Sequence, residues 1–248
     1  MTYCLAIKVN DGLVFASDSR AGAGVDGASV YSKMYWFELH EDRLVVLLAS
    51  GSIATTQAVV SRIRRDLGNP GAKHSLNSAA YLFEAATYVG EISVRAQKQQ
   101  LASMQRSGLS TEATFILGGQ IQGQLHDLYM IYPQGNYIMA SIDTPYLQIG
   151  ETKYGKPVLV RMITPETSLE DAARCALVSL DSTMRSNISV GPPMELAIFE
   201  RDVFVLKHHL SLNSASPFYG ALQQQWGRGI RAAFDGLPRF DWETGGDT

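Results

Sequence analysis

The stretch that decides the fold lies near the amino terminus and reads, from residue 3 to residue 17, YCLAIKVNDGLVFAS. Its first half alternates with the period of two that is typical of a β-strand, with Tyr3, Leu5 and Ile7 on one face. A short Asn-Asp-Gly connection at residues 10–12 separates it from a second apolar run, which is a strong hairpin signal. The sequence therefore predicts an opening β-hairpin whose first strand begins at residue 2 or 3.

Apolar periodicity divides the rest of the chain into strands and helices. Residues 43–49 are almost continuously apolar, which is typical of a strand covered on both faces. Thr167-Ser168-Leu169-Glu170 is a capping box that starts a later helix. The predicted elements are a strand-like run at 31–37, a strand at 43–49, helices at 52–67 and 75–105, strands at 113–117, 127–132 and 137–141, a helix from 167, a final hairpin at 195–199 and 203–207, and a helix at 222–234.

This order of elements predicts two sheets that face each other with helices outside both, because that arrangement buries every apolar face. The chain has 248 residues, a length at which a single sandwich is ordinary. It shows neither an internal repeat nor a low-complexity linker. We therefore expect a single domain over residues 1–248, with a core at about 2–210 and a C-terminal extension at about 211–248 that forms a loose tail or binds a partner.

Composition and charge exclude several classes of function. Hydrophobic residues make up 46% of the chain and charged residues 18%, so a sizeable core is expected. The net charge of -3 and the lack of a basic stripe argue against nucleic-acid binding. Apolar runs stay below the roughly 18 residues of a membrane span, and the N-terminus lacks the pattern of a secretory signal. Two cysteines make no disulfide framework, so we expect a cytoplasmic protein.

Position 2 is the most informative place for chemistry. Removal of Met1 leaves Thr2 with a free α-amine, so that one residue carries both a nucleophile and a general base. Strands of matched length joined at residues 10–12 bring Asp18 back beside residue 2. Lys33 is an isolated cation in the strand-like run, and a lysine beside a carboxylate shifts nearby pKa values.

These residues carry a resemblance to a known family. Thr2 on a first strand, the run Ala16-Ser17-Asp18-Ser19-Arg20-Ala21, Ser32-Lys33, and Ala49-Ser50-Gly51-Ser52 before a helix resemble the N-terminal half of proteasome β-type subunits and of the bacterial HslV peptidase. The Tyr-Cys pair after the threonine and the longer C-terminal tail look most like the bacterial Anbu proteasome-like proteins. The resemblance covers roughly residues 2–210.

The resemblance implies an N-terminal nucleophile (Ntn) hydrolase with an α+β fold, a four-layer αββα sandwich of two antiparallel sheets. In this resemblance, Thr2 matches the nucleophile, and the α-amine of Thr2 matches the general base. Lys33 matches the lysine that lowers the pKa of that centre, and Asp18 the carboxylate that holds the lysine. Gly51 matches the donor of the oxyanion N–H, and Asp181 a second acidic residue near the threonine. It also implies a homo-oligomer, a ring or an open helical or lock-washer assembly, acting on a peptide or amide substrate without a cofactor.

Two positions depart from the family pattern. The family has Gly-Ser-Gly before its third helix, whereas here Ile149-Gly150-Glu151-Thr152 puts a carboxylate in place of the hydroxyl. Met184 replaces the serine that follows the second aspartate by three residues. Glu151 beside the amine favours its protonated form and opposes Lys33. Two alternatives to a general peptidase therefore stay open, namely a scaffold or binding protein that lost turnover and an amidase of narrow specificity.

Three other motifs have ordinary interpretations. Gly22 to Gly27 spells G-x-G-x-x-G, but no helix pattern follows, so we interpret it as a loop at the rim of the site. His208 and His209 point to opposite faces of a strand, and no metal site is predicted there. Cys4 is interpreted as a core or pocket-lining residue.

Overall fold

The computed structural model describes residues 1–24, 27–39, 41–105 and 108–243. The strands in this part of the chain are β1 (Tyr3–Val9), β2 (Gly12–Asp18), β3 (Arg20–Gly24), β4 (Gly27–Val30), β5 (Met34–Leu39), β6 (Arg43–Gly51), β7 (Ala113–Ile121), β8 (Asp127–Ile131), β9 (Tyr137–Met139), β10 (Tyr146–Gly150), β11 (Met194–Glu200) and β12 (His208–Leu212). The α-helices are α1 (Ile53–Leu67), α2 (Leu82–Gln105), α3 (Lys156–Met162), α4 (Leu169–Ser186) and α5 (Pro217–Asp235).

Ten of these strands form two antiparallel sheets of five strands each. Sheet 1 has the order β10-β1-β2-β11-β12, and sheet 2 has the order β5-β6-β7-β8-β9. Strands β3 and β4 pair separately as a two-stranded ribbon. The first two strands of the chain therefore lie inside sheet 1, with β1 between β10 and β2.

The opening hairpin confirms the prediction from the sequence. Val9 pairs with Gly12 across the turn, and the register continues to Cys4 opposite Ser17. Gly12 is required because a Cβ built there would lie 2.0 Å from the carbonyl oxygen of Phe199 on β11. Hairpin pairing thus carries the end of β2, with Asp18, back to the start of β1.

Alternation along β1 explains how the layers are built. Tyr3, Leu5 and Ile7 belong to the apolar cluster shared with α3 and α4, whereas Cys4 and Ala6 belong to the cluster between the two sheets. A third cluster lies between sheet 2 and the pair α1 and α2. Each sheet is therefore covered on both faces, and the predicted four-layer αββα sandwich of the α+β class is confirmed. No helix in the described ranges is both long and apolar enough to span a membrane.

The helix predicted over residues 75–105 begins later, at Leu82. Residues 75–81 form turns, because Arg43 donates hydrogen bonds to three carbonyl groups of this segment that a helix would use internally. Glu84 then accepts the two backbone N–H groups immediately before the helix. A long-range cation and a local carboxylate thus set the start that periodicity alone placed too early.

The prediction of a strand at residues 203–207, the second strand of the final hairpin, is wrong. The strand that pairs with β11 is β12, which begins at His208, directly after the predicted strand ends. Asp202 has a φ of 63°, and its N–H donates to the side chain of Gln120 on β7. The N–H of Leu206 donates to Glu38 on β5. These bonds to sheet 2 hold the connection away from β11.

The structure differs from the predictions in three further places: a strand, a loop and the start of a helix. Strand β10 was not predicted, although its pairing with β1 decides what lies beside Thr2. Residues 22–27, predicted as a loop, belong largely to β3 and β4, and their tip at 25–26 lies outside the described residues. The helix predicted at 222–234 is α5, which begins at Pro217, and the end of the predicted tail, 244–248, also lies outside the described residues.

Candidate active site

Thr2 lies at the start of β1, where it is half-buried between two strands of sheet 1. Its carbonyl oxygen accepts the N–H of Glu151 at 2.8 Å. Gly150, with a φ of 84°, allows this close approach, because a Cβ there would lie 2.0 Å from the Thr2 oxygen. The end of β10 therefore fixes the backbone of Thr2 and brings Glu151 beside it.

The Asp18 carboxylate is the buried anion of the site. It has no solvent exposure and accepts three hydrogen bonds. Its Oδ1 accepts the N–H of Tyr3 at 3.0 Å and Lys33 Nζ at 2.6 Å, while Oδ2 accepts the N–H of Gly191 at 3.2 Å. One oxygen therefore joins the residue that follows Thr2 to the buried cation. Charge-assisted bonds of this kind are stronger than neutral ones.

Lys33 supplies the cation from the segment immediately before β5. It is 8% exposed, and Nζ donates both to Asp18 and to the carbonyl oxygen of Arg20 at 2.7 Å. Its own carbonyl accepts the N–H of Ala49 at 2.9 Å, which anchors it to sheet 2. The ion pair thus bridges the two sheets, and removing one partner of a buried pair costs about 3–5 kcal/mol.

Gly51 ends β6 on the sheet that carries Lys33. The N–H of Ala49 points toward Lys33, and alternation of backbone groups along a strand directs the Gly51 N–H to the same edge. Gly51 then turns at a φ of 100°, and a Cβ there would lie 2.3 Å from the carbonyl oxygen of Glu112. Ser52 caps α1 directly after it, so the positive end of the helix dipole faces the same region.

Glu151 is held by a residue that the sequence analysis missed. Its Oε2 accepts the side-chain N–H of Asn187 at 3.0 Å. Asn187 follows α4, in the same short loop as Gly191, which donates to Asp18. The loop after α4 therefore contacts both carboxylates. In the sequence, this loop is marked only by a cluster of turn-forming residues.

The Asp181 carboxylate, expected near the threonine, makes its hydrogen bonds within the described residues to α4 and α5. Its Oδ1 accepts the hydroxyl of Tyr219 at 2.9 Å and the side chain of Gln223, both on α5. Its Oδ2 accepts Nε of Arg185 at 2.9 Å. Asp181 thus ties α4 to α5. Burial and then the bond to Asp181 raise the pKa of Tyr219. Met184 packs against the core of the same helical layer.

Tyr3 is the second functional residue that the sequence analysis missed. Its ring is completely buried, and its hydroxyl bonds Ser179 on α4 at 2.7 Å and Gln148 on β10 at 2.5 Å. Burial raises the pKa of Tyr3, so the hydroxyl stays protonated. Since its N–H also bonds Asp18, Tyr3 connects Thr2 to the ion pair on one side and to the helical layer on the other.

Replacing Tyr3 with phenylalanine tests this anchoring role. We expect the free energy of unfolding to fall by about 1–2 kcal/mol, because two buried polar partners lose a hydrogen bond. Small displacements of a reacting group cost rate, so acylation of Thr2 by an electrophile should slow about tenfold. The measurements are a urea melt and a labelling time course.

Tyr146→Phe is the matched control for Tyr3→Phe. Tyr146 packs in the same cluster, and its hydroxyl makes no hydrogen bond to a described residue. It should leave the labelling rate unchanged. Equal slowing by both variants would contradict a specific role for the Tyr3 hydroxyl.

The remaining predicted candidates lie outside this chemistry. Cys4 is completely buried between the sheets, as predicted, and burial raises the pKa of its thiol. His208 lies 3.8 Å from Glu200, whereas the His209 ring contacts Trp36 at an interplanar angle of 43°, with ring centroids 4.7 Å apart. The described residues hold no group of three or more His, Cys, Asp or Glu side chains that could bind a metal ion.

Comparison with known proteins agrees with this architecture. The family model for proteasome subunits matches residues 2–199. A proteasome β subunit from Haloquadratum walsbyi is 26% identical over 212 residues, covering 84% of this chain and 77% of the relative.

Solved structures of Anbu proteins superpose on nearly the whole chain. Anbu (ancestral β subunit) from Yersinia bercovieri is 40% identical, with a TM-score of 0.88 over 97% of this chain and 99% of that one. The helical assembly of the Anbu complex from Pseudomonas aeruginosa is also 40% identical, with a TM-score of 0.89 over 96% and 98%. The chain belongs to the proteasome subunit family and, within it, to the Anbu proteasome-like proteins.

Proposed function

We propose that this protein is an N-terminal threonine hydrolase that cleaves peptide or amide bonds once Met1 has been removed. The observation that carries the proposal is the buried Lys33–Asp18 pair, 2.6 Å long, whose carboxylate also binds the residue after Thr2. A cation buried this close to the N-terminal residue is costly as a purely structural feature. The position of the Lys33–Asp18 pair therefore supports a role of Lys33 in setting the protonation of the Thr2 amine.

The proposed reaction uses only groups of this chain and water. The Thr2 hydroxyl attacks the substrate carbonyl while its α-amine takes the hydroxyl proton. The Gly51 N–H stabilises the oxyanion, and collapse breaks the C–N bond as the ammonium returns the proton to the leaving amine. Water, deprotonated by the same amine, then hydrolyses the threonine ester and regenerates Thr2.

Lys33 and Glu151 have opposite effects on the Thr2 amine in this proposal. The positive charge of Lys33 lowers the pKa of the amine and enlarges the neutral fraction that can act as a base. The negative charge of Glu151 raises that pKa. The bond from Asn187 orients the Glu151 carboxylate without neutralising it.

Glu151→Gln tests this opposition through the pH dependence of Thr2 acylation. Activity rises with pH as the amine loses its proton. Removing the negative charge lowers the pKa of the amine, so the acid limb of the profile should move to lower pH. The measurement is the rate of Thr2 labelling as a function of pH, between about pH 5 and about pH 9. An unchanged or upward-shifted limb would contradict the role given to Glu151.

A second candidate function is a scaffold that kept the fold and lost turnover, and the feature favouring it is Glu151 at the threonine. Met184 gives this alternative little support, because the side chain is partly buried and packs against the apolar cluster beneath α4. An amidase of narrow specificity is the intermediate case, with the same nucleophile and a restricted substrate.

Thr2→Ala in the native host separates the enzyme from the scaffold. Because the proposed nucleophile is lost while the fold is kept, the variant should reproduce whatever phenotype the gene deletion shows. Thr2→Ser, which keeps a hydroxyl, is the matched control and should restore function. A Thr2→Ala strain that behaves as wild type, at equal protein level, would favour the scaffold.

The proposal includes a homo-oligomer with a cytoplasmic location, formed by a single domain with a C-terminal extension. Large apolar side chains stay exposed along this extension, and Phe240 stacks on Trp242 with centroids 4.5 Å apart. Exposed apolar patches of this kind mark protein interfaces. The helical assembly of a relative that is 40% identical supports an open helical arrangement, and a lock-washer and a ring are the alternative forms of the proposed homo-oligomer.

A further inference from the structure

A cationic groove runs between α1 and α2 on the outer face of the helical layer that covers sheet 2. One cavity of about 310 Å³ is lined by three arginines, Arg62 and Arg65 from α1 and Arg95 from α2. Acidic side chains are absent from its described lining. Because the whole chain carries a net charge of -3, this concentration of positive charge is a local feature of the groove.

The groove continues beyond this first cavity. An adjoining cavity of about 470 Å³ shares the three arginines and adds Lys73, together with Glu91 and the buried carboxylate Asp66. The floor of the first cavity is apolar and consists of Ala58, Ile92 and Ala96. The surface is therefore elongated, with a cationic rim over an apolar base.

Asp66 holds in place the two arginines of α1 that line the groove. Nε of Arg62 lies 2.6 Å and Nε of Arg65 3.6 Å from its carboxylate oxygens, and the Tyr88 hydroxyl donates to it at 2.9 Å. Burial disfavours the charged carboxylate, yet the bonds from Arg62 and Tyr88 outweigh it and lower the pKa of Asp66. An arginine bound through Nε keeps its two Nη groups for a second anion.

Arg95 completes the groove from the other helix. Its guanidinium forms no ion pair or hydrogen bond with any described residue, although it lines both cavities with Arg62 and Arg65. Three guanidinium groups thus converge on one space from two helices. Planar, bidentate guanidinium groups are suited to carboxylates and phosphates, and such charged clusters steer the approach of anionic partners.

We propose that this groove binds an acidic peptide segment of a partner protein. Carboxylates of the segment pair with Arg65 and Arg95, and its apolar side chains pack on the floor at Ile92. The elongated shape and the apolar base favour a peptide over an inorganic anion, which needs neither. This binding does not depend on Thr2, so it stands whether or not the proposed hydrolase activity is found.

Calorimetry with the full-length protein tests the proposal. The probe is an N-acetylated, C-amidated hexapeptide of alternating glutamate and leucine, titrated at low and at high NaCl. The same peptide with glutamine in place of glutamate is the control for charge. We expect binding of the acidic peptide that weakens with salt, and at least about tenfold weaker binding by Arg65→Ala combined with Arg95→Ala.

Arg174→Ala supplies the matched protein control, because Arg174 pairs with Asp171 on α4, in the other helical layer. It should bind the peptide as wild type does. Equal binding of the glutamine peptide, or equal affinity of all variants, would overturn the proposal. Binding of pyrophosphate without binding of the peptide would overturn it as well, since the groove would then be an inorganic anion site. Thermal melts of each variant report folding separately from binding.

Discussion

Replacing Lys33 with methionine will lower the free energy of unfolding by about 3–5 kcal/mol and abolish acylation of Thr2. The stability loss follows because the carboxyl group of Asp18, which is fully buried, is left without its partner. The activity loss follows because the Thr2 amine then loses the positive charge that favours its neutral form. Urea denaturation and labelling kinetics measure the two effects on the same preparation.

A double variant separates these two effects. Asp18→Asn in the Lys33→Met background removes the unpaired charge, so most of the lost stability should return. Acylation of Thr2 should stay abolished, because neither charged group is restored. A double variant that regains activity along with stability would mean that the ion pair only supports the fold. A single variant that keeps wild-type labelling would contradict the catalytic role of Lys33 directly.

Gly51→Ala is expected to reduce turnover by about 10²–10³-fold, the usual cost of losing an oxyanion donor. A methyl group at this position meets the carbonyl oxygen of Glu112 at 2.3 Å, and a φ of 100° is strained for any L side chain. The backbone must therefore shift, which redirects the N–H. The measurement is kcat on any amide substrate found for the wild type.

Gly119→Ala is the matched control for Gly51→Ala. Gly119 lies on the same pair of strands, opposite Val45, and its added Cβ would meet the carbonyl oxygen of Leu44 at 2.1 Å. Both variants should lose stability, but only Gly51→Ala should lose turnover beyond the loss of folded protein. Equal turnover per folded molecule in the two variants would remove Gly51 from the proposed mechanism.

Local patterns predicted the part of the site that depends on one hairpin. The hairpin through Gly12 brings Asp18 to the start of β1, and the sequence alone predicts this hairpin, although the observed turn is one residue shorter than the predicted connection at 10–12. Helix α1 was also predicted, because its apolar periodicity depends on neighbouring residues. The four layers followed from the order of elements and their apolar faces.

The failures share one physical cause, which is dependence on distant partners. The start of α2 is set by Arg43 from β6, and the position of β12 by bonds from its connection to sheet 2. The hydrogen bond from Tyr219 on α5 to Asp181 likewise joins residues far apart in the chain. Periodicity cannot report such contacts, because it describes only which face of an element is apolar.

The contacts of the Tyr3 hydroxyl could not be predicted from the alternating pattern of β1. In the sequence Tyr3 is one more apolar position of β1, and its burial agrees with that interpretation. Its hydroxyl nevertheless meets Ser179 and Gln148, which lie far along the chain. A tyrosine on a buried strand face needs a hydrogen-bond partner, and this requirement was the available signal.

The most direct test of an N-terminal threonine nucleophile is the intact mass of the protein after incubation with a bifunctional electrophile. The reagent must require a hydroxyl and a free α-amine on the same residue. We predict a chain that lacks Met1 and carries one adduct, with no adduct on Thr2→Ala. A chain that lacks Met1 but carries no adduct, or one that retains Met1 when isolated from its native host, would contradict the proposed hydrolase.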